Sequence, residues 1–176
     1  MTSVPLKIGH KEVKRWFLEM TGEPAYLNPV LPDHTGIRLF KGGCDDYRAL
    51  NKQIGGDLGW IDRQLMSDED LTKIISNPEV KIYVIYSGGV QAGFAEMDHR
   101  TKDEVHLEYF GLAPNFRGKG LGKIFLNWVI AEAWKSKPVK FLLNTCEIDH
   151  PGALPLYLKS GFKIAAIRIE KQAILV

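Results

Sequence analysis

Three alternating glycines, Gly118, Gly120 and Gly122, follow Arg117. They lie between a segment with the pattern of a strand and a long apolar segment with the pattern of a helix. Glycines at the start of a helix let the backbone approach an anion closely, and the first N–H groups of a helix have no partner within it. Each glycine weakens a helix by roughly 1 kcal/mol relative to alanine, so an ordinary turn into a helix does not require all three. The cluster therefore predicts a loop that binds phosphate.

The spacing of these glycines excludes two common phosphate-binding motifs. The loop of nucleotide hydrolases needs a glycine five residues before its Gly-Lys pair and a serine or threonine after it, but Arg117 and Ile124 occupy those positions. The dinucleotide motif Gly-x-Gly-x-x-Gly needs a third glycine where Lys123 stands. A nucleotide-binding protein that merely shares the loop is left as one alternative.

Arg117, Gly120 and Gly122 instead fit the pattern Arg-x-x-Gly-x-Gly. Upstream, residues 112–114 read Leu-Ala-Pro, and downstream, residues 156–162 read Leu-Tyr-x-x-x-Gly-Phe. In these motifs, their order and their separation, the sequence resembles the GNAT superfamily of acyl-CoA-dependent N-acyltransferases. The segments before the motifs agree with that family in order only.

The resemblance implies a mixed α/β (α+β) fold, in which a mostly antiparallel central sheet is flanked by helices. In the family, the fourth strand carries a β-bulge and splays from the fifth, and these strands correspond to residues 104–112 and 140–145. We expect a single N-acetyltransferase domain over residues 1–176. Residues 1–79 would shape the acceptor site, and residues 80–176 would form the acetyl-CoA-binding core.

The resemblance also implies acetyl-CoA as the donor and coenzyme A as the product. Backbone N–H groups of the glycine loop would hold the pyrophosphate, the preceding strand would hydrogen-bond the pantetheine arm, and an N–H near Leu112 would polarise the acetyl carbonyl. His150 stands where the family commonly has an asparagine that seats the cofactor. Two other roles are open to His150: it would fix its own loop through Asp149, or it would face the acetyl group. The residues expected to contact the cofactor are Phe110, Gly111, Leu112, Arg117, Gly118, Lys119, Gly120, Leu121, Gly122, Lys123 and His150.

Two side chains are the candidates for proton transfer. Tyr157 occupies the position of the family's general acid and would protonate the coenzyme A sulfur, although a tyrosine on a helix is more often a core residue. Glu108 lies in an apolar strand where an unpaired carboxylate is costly to bury, so it is our choice as general base. An ion-paired strand residue explains Glu108 equally well, and some family members use no protein base. The reserve candidates are His106, Glu96 and Asp98.

We expect the acceptor to bind against residues of the first half of the chain. Trp60, Asp62 and Arg63 combine an apolar wall, an acid for an ammonium and a guanidinium for a carboxylate, which suits a small zwitterion. A surface loop with a buried tryptophan and an Arg-Asp ion pair explains the same residues. Further candidates on this side are Asn144, Tyr47 and Tyr109.

We predict a small-molecule primary amine as the acceptor, because no acidic run is present that could bind a basic protein tail. An enzyme that acetylates a protein amino terminus or a lysine is one alternative. A non-catalytic acyl-CoA sensor on the same fold is another, although a pure binder does not need the acid Tyr157.

Hydrophobic periodicity and turn residues predict the elements that position these groups. Residues 10–20 carry Val13, Trp16, Phe17 and Met20 at the i, i+3, i+4 and i+7 spacing of an amphipathic helix. Beyond it the sequence predicts a strand over 37–40, helices over 45–54 and 67–76, a hairpin of strands 81–86 and 90–97, a strand over 104–112, a helix over 121–135, a strand over 140–145, a helix over 152–160 and a strand over 162–174.

Length, composition and charge are ordinary for a soluble domain. The chain has 176 residues, 45% of them hydrophobic, a formal net charge of +2 and two distant cysteines, so we expect no metal site and no disulfide. No apolar run approaches the ~20 residues of a membrane span. The basic residues form no extended patch beyond the glycine loop, which disfavours nucleic acid. We expect a cytoplasmic protein without nucleic-acid or membrane partners, and the apolar residues 173–176 are compatible with a homodimer.

Overall fold

The computed structural model describes residues 7–25, 27 and 29–176, whose strands form one seven-stranded sheet with helices on both faces. The strands are β1 (Ile8–Met20), β2 (Thr35–Leu39), β3 (Val80–Ser87), β4 (Val90–Asp98), β5 (Glu104–Leu112), β6 (Lys140–Cys146) and β7 (Lys163–Leu175). The helices are α1 (Cys44–Gly55), α2 (Asp62–Leu65), α3 (Asp68–Ile75), α4 (Leu121–Trp134) and α5 (Ala153–Lys159), with 3₁₀ turns at Gly56–Leu58 and Pro114–Phe116.

The strand order is β2-β3-β4-β5-β6-β1-β7, and every neighbouring pair is antiparallel except β5 with β6. These two parallel strands pair only between residues 104–107 and residues 140–143. Beyond those pairs they part. The predicted mixed α/β sheet and the splay between its two parallel strands are both confirmed.

Glu108 is the extra residue of a β-bulge in β5. On the neighbouring strand β4, Glu96 pairs with Tyr109 and the next residue, Met97, pairs with Leu107, so Glu108 has no partner in this ladder. A bulge bends its strand and increases the local twist. The expected bulge therefore lies at Glu108, where β5 begins to leave β6.

The predicted helix over residues 10–20 is wrong, because these residues belong to β1. This strand lies inside the sheet, paired with β7 along its length and with β6 over residues 15–20. An inner strand carries apolar side chains on both faces, here Phe17 on one face and Trp16 and Leu18 on the other, so the alternation of a half-buried strand is hidden. The additional strand shifts the numbering, and the strands expected as fourth and fifth are β5 and β6.

The other predicted helices and strands are present, with ends that differ by up to two residues. Ser67 precedes α3 and accepts a hydrogen bond from the Asp70 N–H at 3.1 Å, so its hydroxyl caps the start of this helix. The short helix α2 was not predicted from the sequence. It contains Arg63, one of the candidate acceptor residues.

Two apolar clusters hold the helices on the sheet. Phe125 and Val129 of α4 are fully buried against one face, and Leu50 and Ile54 of α1 are buried against the other, where Phe94 of β4 meets them. Packing on both faces fixes the central strands that border the gap between β5 and β6. Among the described residues, no helix has the length and apolarity to cross a membrane.

Gly93 in β4 allows the close approach of β5. A Cβ at this position would lie 2.4 Å from the Gly111 carbonyl oxygen, a backbone atom that cannot move away cheaply. We expect Gly93→Ala to lower the free energy of unfolding by about 1–3 kcal/mol, the usual cost of overpacking, as measured by urea denaturation. Gly36→Ala in β2 is the matched control, because nothing lies within 4 Å of its added Cβ. Equal stability of the two variants would contradict this account of Gly93.

Candidate active site

The gap between β5 and β6, which we call the cleft, has a volume of about 720 Å³. Its walls come from residues 107–112 of β5 and residues 144–146 of β6, and side chains of β1 and β7 extend it across the sheet. The loop before α4 and helix α5 border one part of it, and the segment around Trp60 borders another. The sequence motifs at residues 117–122 and at Tyr157 therefore meet at one place.

The loop before α4 presents a row of free backbone donors. Gly118 and Gly120 have φ angles of 72° and 84°, in the left-handed region that favours glycine, and Gly120 is the N-cap of α4. In the part of the chain that the structure describes, the N–H groups of residues 118–123 donate to no acceptor. The first turn of α4 contains no acidic residue, so the positive end of the helix dipole is not neutralised there. This arrangement can hold an anion.

Arg117 ties this loop to two other elements. Its Nε donates to the Leu112 carbonyl at 2.8 Å, and its terminal nitrogens donate to the Ile54 carbonyl at 2.7 Å and to the Asp57 carboxylate at 2.5 and 2.9 Å. The hydrogen bonds from Arg117 hold the pKa of Asp57 below its ordinary value. The charge that we expected Arg117 to offer a phosphate is therefore shared with Asp57.

The two lysines expected at the phosphates lie beside the loop. Lys119 donates to the Asn115 carbonyl at 2.8 Å, which keeps its ammonium next to the loop backbone. Lys123 is exposed in the first turn of α4 and lines the cleft. Both positive charges are thus available near the free N–H groups.

Tyr157 points from α5 into a mostly aromatic environment. Its side chain is 6% exposed, with the ring of Phe110 at 6.2 Å and that of Phe162 at 6.1 Å between centroids. Tyr157 lines the cleft, and its hydroxyl has no hydrogen-bond partner among the described residues. Burial, assisted by the charge of Asp149, raises the pKa of Tyr157 well above its ordinary value. The phenol is therefore held in its protonated form.

Glu108 also lines the cleft, at the bulge. Partial desolvation by the walls of the cleft, together with the negative charge of Glu96, raises the pKa of Glu108 above its ordinary value. Its carboxylate makes no ion pair within the described residues and remains open to solvent. A carboxylate with a raised pKa and a free oxygen is suited to accept a proton.

The reserve candidates for the base are engaged elsewhere. Glu96 is 1% exposed and accepts hydrogen bonds from Arg63 at 2.5 Å and from the Tyr47 hydroxyl. The two other candidates contact side chains on the same surface, His106 with Glu104 at 2.9 Å and Asp98 with Arg100 at 2.5 Å. None of the three is among the residues that line the cleft.

Trp60 connects the two walls of the cleft. Its indole lies against Gly55 and Gly111, where an added Cβ would come within 2.0 Å and 2.9 Å of the ring, and it contacts Tyr109 edge-on at 5.1 Å. Its Nε1–H donates to Asp149 at 3.3 Å, on the segment that follows β6. Trp60 therefore lines the cleft with an apolar ring, held by a partner that the sequence did not indicate.

Arg63 lines the cleft but is already paired with a carboxylate of the protein. It is 8% exposed, its guanidinium is bound to Glu96 and it lies 5.1 Å from the ring centroid of Tyr109. Burial acts to lower the pKa of Arg63, but the charge and hydrogen bond of Glu96 outweigh that effect and raise it. A carboxylate of the same chain therefore already occupies the group that we expected to bind the carboxylate of an acceptor.

Asn144 and His150 lie at the β6 side of the cleft. The amide oxygen of Asn144 accepts from Arg15 at 2.5 Å. His150 is exposed, and its Nδ1 accepts from the Gly152 N–H at 3.1 Å, which orients its ring at the start of α5. Asp149 accepts from Thr145 and from the Cys146 N–H, both at 2.8 Å, and so fixes this turn.

The cleft contains a group of residues that the sequence did not indicate. Because β1 pairs with β6 and β7 pairs with β1, side chains of β1 and β7 reach the cleft; they are Arg15 and Phe17 of β1 and Arg168, Glu170 and Gln172 of β7. Within β7 the polar members recur at every second residue, which is the signal of one face of a strand. The mistaken helix over residues 10–20 concealed that β1 and β7 share this face.

The sequence profile of the acetyltransferase (GNAT) family matches residues 48–162. The chain belongs to the GNAT family. A GCN5-related N-acetyltransferase from Sphaerobacter thermophilus has a similar fold, with a TM-score of 0.68 and 18% identity over 96% of this chain and 54% of that chain. A GNAT family acetyltransferase from Elizabethkingia anophelis with acetyl-CoA bound gives a TM-score of 0.59 and 16% identity over 82% of this chain and 100% of that chain.

The ribosomal-protein-S18-alanine N-acetyltransferase from Escherichia coli is similar to the same degree, with a TM-score of 0.59 and 17% identity over 81% of this chain and 95% of that chain. These likenesses establish the fold. This GNAT chain spans 53–62% of the length of the first three similar structures. A search of curated proteins returned no match.

GNAT acetyltransferases use acetyl-CoA, and the cleft fits such a donor. The free N–H groups of residues 118–123 suit a pyrophosphate, and the edge of β5 beyond Leu107, which β6 leaves unpaired, suits an extended arm with amide groups. The fit rests on this chain's own backbone. This fit agrees with the acetyl-CoA donor that the resemblance to the GNAT family implies.

The Arg117–Asp57 contact predicts how the glycine loop is held. We expect Asp57→Asn to lower the free energy of unfolding by about 0.5–1 kcal/mol and to weaken acetyl-CoA binding, because the loop loses its charged anchor at the 3₁₀ turn that follows α1. Since the pKa of Asp57 is lowered by Arg117, the stability difference should be complete above about pH 4 and close as the pH falls through the lowered value.

Urea denaturation at several pH values and calorimetric titration with acetyl-CoA measure these two effects. Glu69→Gln on α3, which removes an exposed ion pair with Lys73 far from the cleft, is the control and should leave acetyl-CoA binding unchanged. Unchanged binding in Asp57→Asn would show that the loop does not depend on this contact.

Proposed function

We propose that this protein transfers an acetyl group from acetyl-CoA to the primary amine of a small molecule by direct attack. The observation that carries the proposal is the meeting, in one cleft, of free backbone donors at the start of α4, an unpaired strand edge and the hydroxyl of Tyr157. Each suits a different part of the reaction, which needs a bound donor, an oriented thioester and an acid for the leaving group.

The donor would lie along β5 and against α4. The N–H groups of residues 118–123, with Lys119 and Lys123, would hold the pyrophosphate, while Phe110, Gly111 and Leu112 would border the pantetheine arm. An N–H near Leu112 would polarise the thioester carbonyl. Arg117 would contribute by fixing the loop through Asp57, and His150 would border the donor from the start of α5.

The chemical step needs two proton transfers. The nitrogen of the neutral amine attacks the thioester carbonyl carbon, so that a C–N bond forms, the C–S bond breaks and the sulfur leaves with its electron pair. Tyr157 would give its proton to that sulfur. The raised pKa of Tyr157 keeps its hydroxyl protonated before this step. Glu108 would accept the proton that the amine loses. No other reactant is required.

The acceptor would enter between Trp60 and the side chains of β6. Asn144 and the wall formed by Trp60 and Tyr109 favour a small amine over an extended peptide, because this part of the cleft is crossed by the Trp60–Asp149 hydrogen bond. Peptides that begin with alanine are nevertheless included in the test, because the E. coli neighbour is named for such an acceptor.

Three further expectations belong to this proposal. Residues 1–176 would act as one domain, with residues 1–79 shaping the acceptor site and residues 80–176 binding the donor. The cytoplasm is the proposed location, since Cys44 and Cys146 are both free thiols. A homodimer would form through β7, the edge strand that exposes apolar side chains.

Tyr157→Phe tests the general acid. We expect kcat with a competent amine to fall by about 10²–10⁴-fold, the usual contribution of a general acid, because the thiolate then leaves without a proton. The rise in melting temperature with acetyl-CoA should persist, because the ring keeps its packing. Tyr86→Phe, which removes a hydroxyl outside the cleft, is the control.

Release of free thiol over a panel of small amines and alanine peptides measures this activity. Full turnover by Tyr157→Phe would remove Tyr157 from the mechanism. Failure of acetyl-CoA to stabilise the wild-type chain would overturn the proposed function, and stabilisation without turnover of any amine would favour an acyl-CoA sensor.

Glu108→Gln tests the general base through pH dependence. The base must be deprotonated, so kcat/KM of the wild type should fall as the pH drops through the raised pKa of Glu108. The variant should be slow and should lack that acidic limb. Glu104→Gln, on the same strand but outside the cleft, should retain it. An identical pH profile in Glu108→Gln would show that water or the neutral amine itself serves instead.

A further inference from the structure

Four arginines line the cleft, and three of them are matched by a carboxylate of the chain itself. The matched pairs are Arg15–Glu170 at 3.1 Å, Arg63–Glu96 at 2.5 Å and Arg117–Asp57 at 2.5 Å. The fourth, Arg168 of β7, has no carboxylate oxygen within 4.0 Å in the ranges that the structure describes. One guanidinium of the cleft is therefore left without a countercharge.

Arg168 is an exposed side chain that contacts Phe17 of β1. It lies directly opposite Arg15 in the β1–β7 ladder, and its guanidinium carbon lies 4.8 Å from the ring centroid of Phe17. Like charges directly opposite in a sheet are destabilising. Glu170 neutralises Arg15 alone, and the other partners of Arg15, Asn144 and Gln172, are uncharged. An anion at Arg168 would relieve the remaining repulsion.

The place of Arg168 in the sheet separates it from the donor's phosphates. The loop before α4 follows β5, whereas β7 lies three strands away from β5, beyond β6 and β1. Neighbouring strands are about 4.8 Å apart, so β5 and β7 are separated by roughly 14 Å even where the sheet is closed. An anion at Arg168 would therefore be a different group from a pyrophosphate at residues 118–123.

We propose that Arg168 binds a carboxylate of the acceptor, so that the acceptors of this enzyme are amines that also carry a carboxylate. The inference rests on the proposed function and specifies its substrate class. A guanidinium offers a planar pair of donors that matches the two oxygens of a carboxylate, and the Phe17 ring limits its freedom. Arg63, the group that the sequence favoured for this role, is already bound to Glu96. Glu108 lines the same cleft from β5, and the long side chains of Arg168 and Glu108 shorten the distance that the acceptor would span between its carboxylate and its amine.

Matched sets of acceptors test the proposal. Each set contains an amino acid, its amide and its decarboxylated amine, and kcat/KM is measured with saturating acetyl-CoA. We expect the wild type to favour the acid over both neutral analogues by about tenfold to a hundredfold, the range of a charge-assisted hydrogen bond. Arg168→Gln should abolish this preference, mainly through KM, and Arg168→Lys should retain part of it because the charge remains without the planar pair.

Lys171→Gln is the control, since it removes the same charge from the opposite face of β7. This variant should keep the full preference for the acid. The melting temperature with and without acetyl-CoA is recorded for every variant, so that an effect on folding or on the donor is seen separately.

The outcomes separate the two proposals. Equal use of acids, amides and amines by the wild type, or a preference for acids that survives in Arg168→Gln, overturns the role of Arg168 and leaves acetyl transfer intact. Loss of acetyl-CoA stabilisation in Arg168→Gln alone assigns Arg168 to the donor and also overturns the inference. A wild-type chain that neither binds acetyl-CoA nor acetylates any member of the sets overturns the proposed function itself.

Discussion

The parting of β5 and β6 is the constraint on which the rest of the structure depends. Two parallel strands would ordinarily continue to pair, because an unpaired strand edge inside a protein leaves N–H and C=O groups without partners. Here the bulge at Glu108 turns β5 away, while β4 holds its other edge up to Leu112 and β1 holds β6 up to Cys146. Each wall is therefore rigid on its outer side and open on its inner side, which is what an extended donor with amide groups requires.

The contacts around the cleft follow from the need to keep these walls in place. Arg117 joins the end of β5 to α1 and to Asp57. The loop before α4 is therefore tied to the strand that precedes it. On the other side, Asp149 closes the turn after β6 and accepts from Trp60. Burial is the main cause of the raised pKa of Tyr157 and the charge of Asp149 adds to it, so one carboxylate both fixes the wall and helps to keep the phenol protonated.

The parts of the site that are local in sequence could be predicted, and the parts that depend on distant strands could not. The glycine loop follows from left-handed φ values that glycine alone adopts readily, and the position of Tyr157 follows from a motif on one helix. In contrast, β1 became a strand because it pairs with residues that lie more than a hundred positions away, which its helical spacing could not reveal. The partner of Arg63 was hidden for the same reason, because Glu96 lies on another element and enters its surroundings only through the fold.

The buried pair Arg63–Glu96 gives the bulge its electrostatic setting. Desolvation in the cleft is the main reason that the pKa of Glu108 is raised, and the charge of Glu96 adds to it, while the positive charge of Arg63 acts in the opposite direction. A buried carboxylate without its guanidinium would be strongly destabilising, so Arg63 first of all makes Glu96 tolerable inside the protein. Both charges lie next to the bulge, and Arg63 offsets part of the effect of Glu96. Together they therefore limit the increase in the pKa of Glu108. Arg63, which sequence reasoning assigned to the acceptor, is thus committed to Glu96, and under our proposal the face of β1 and β7 would distinguish one acceptor from another.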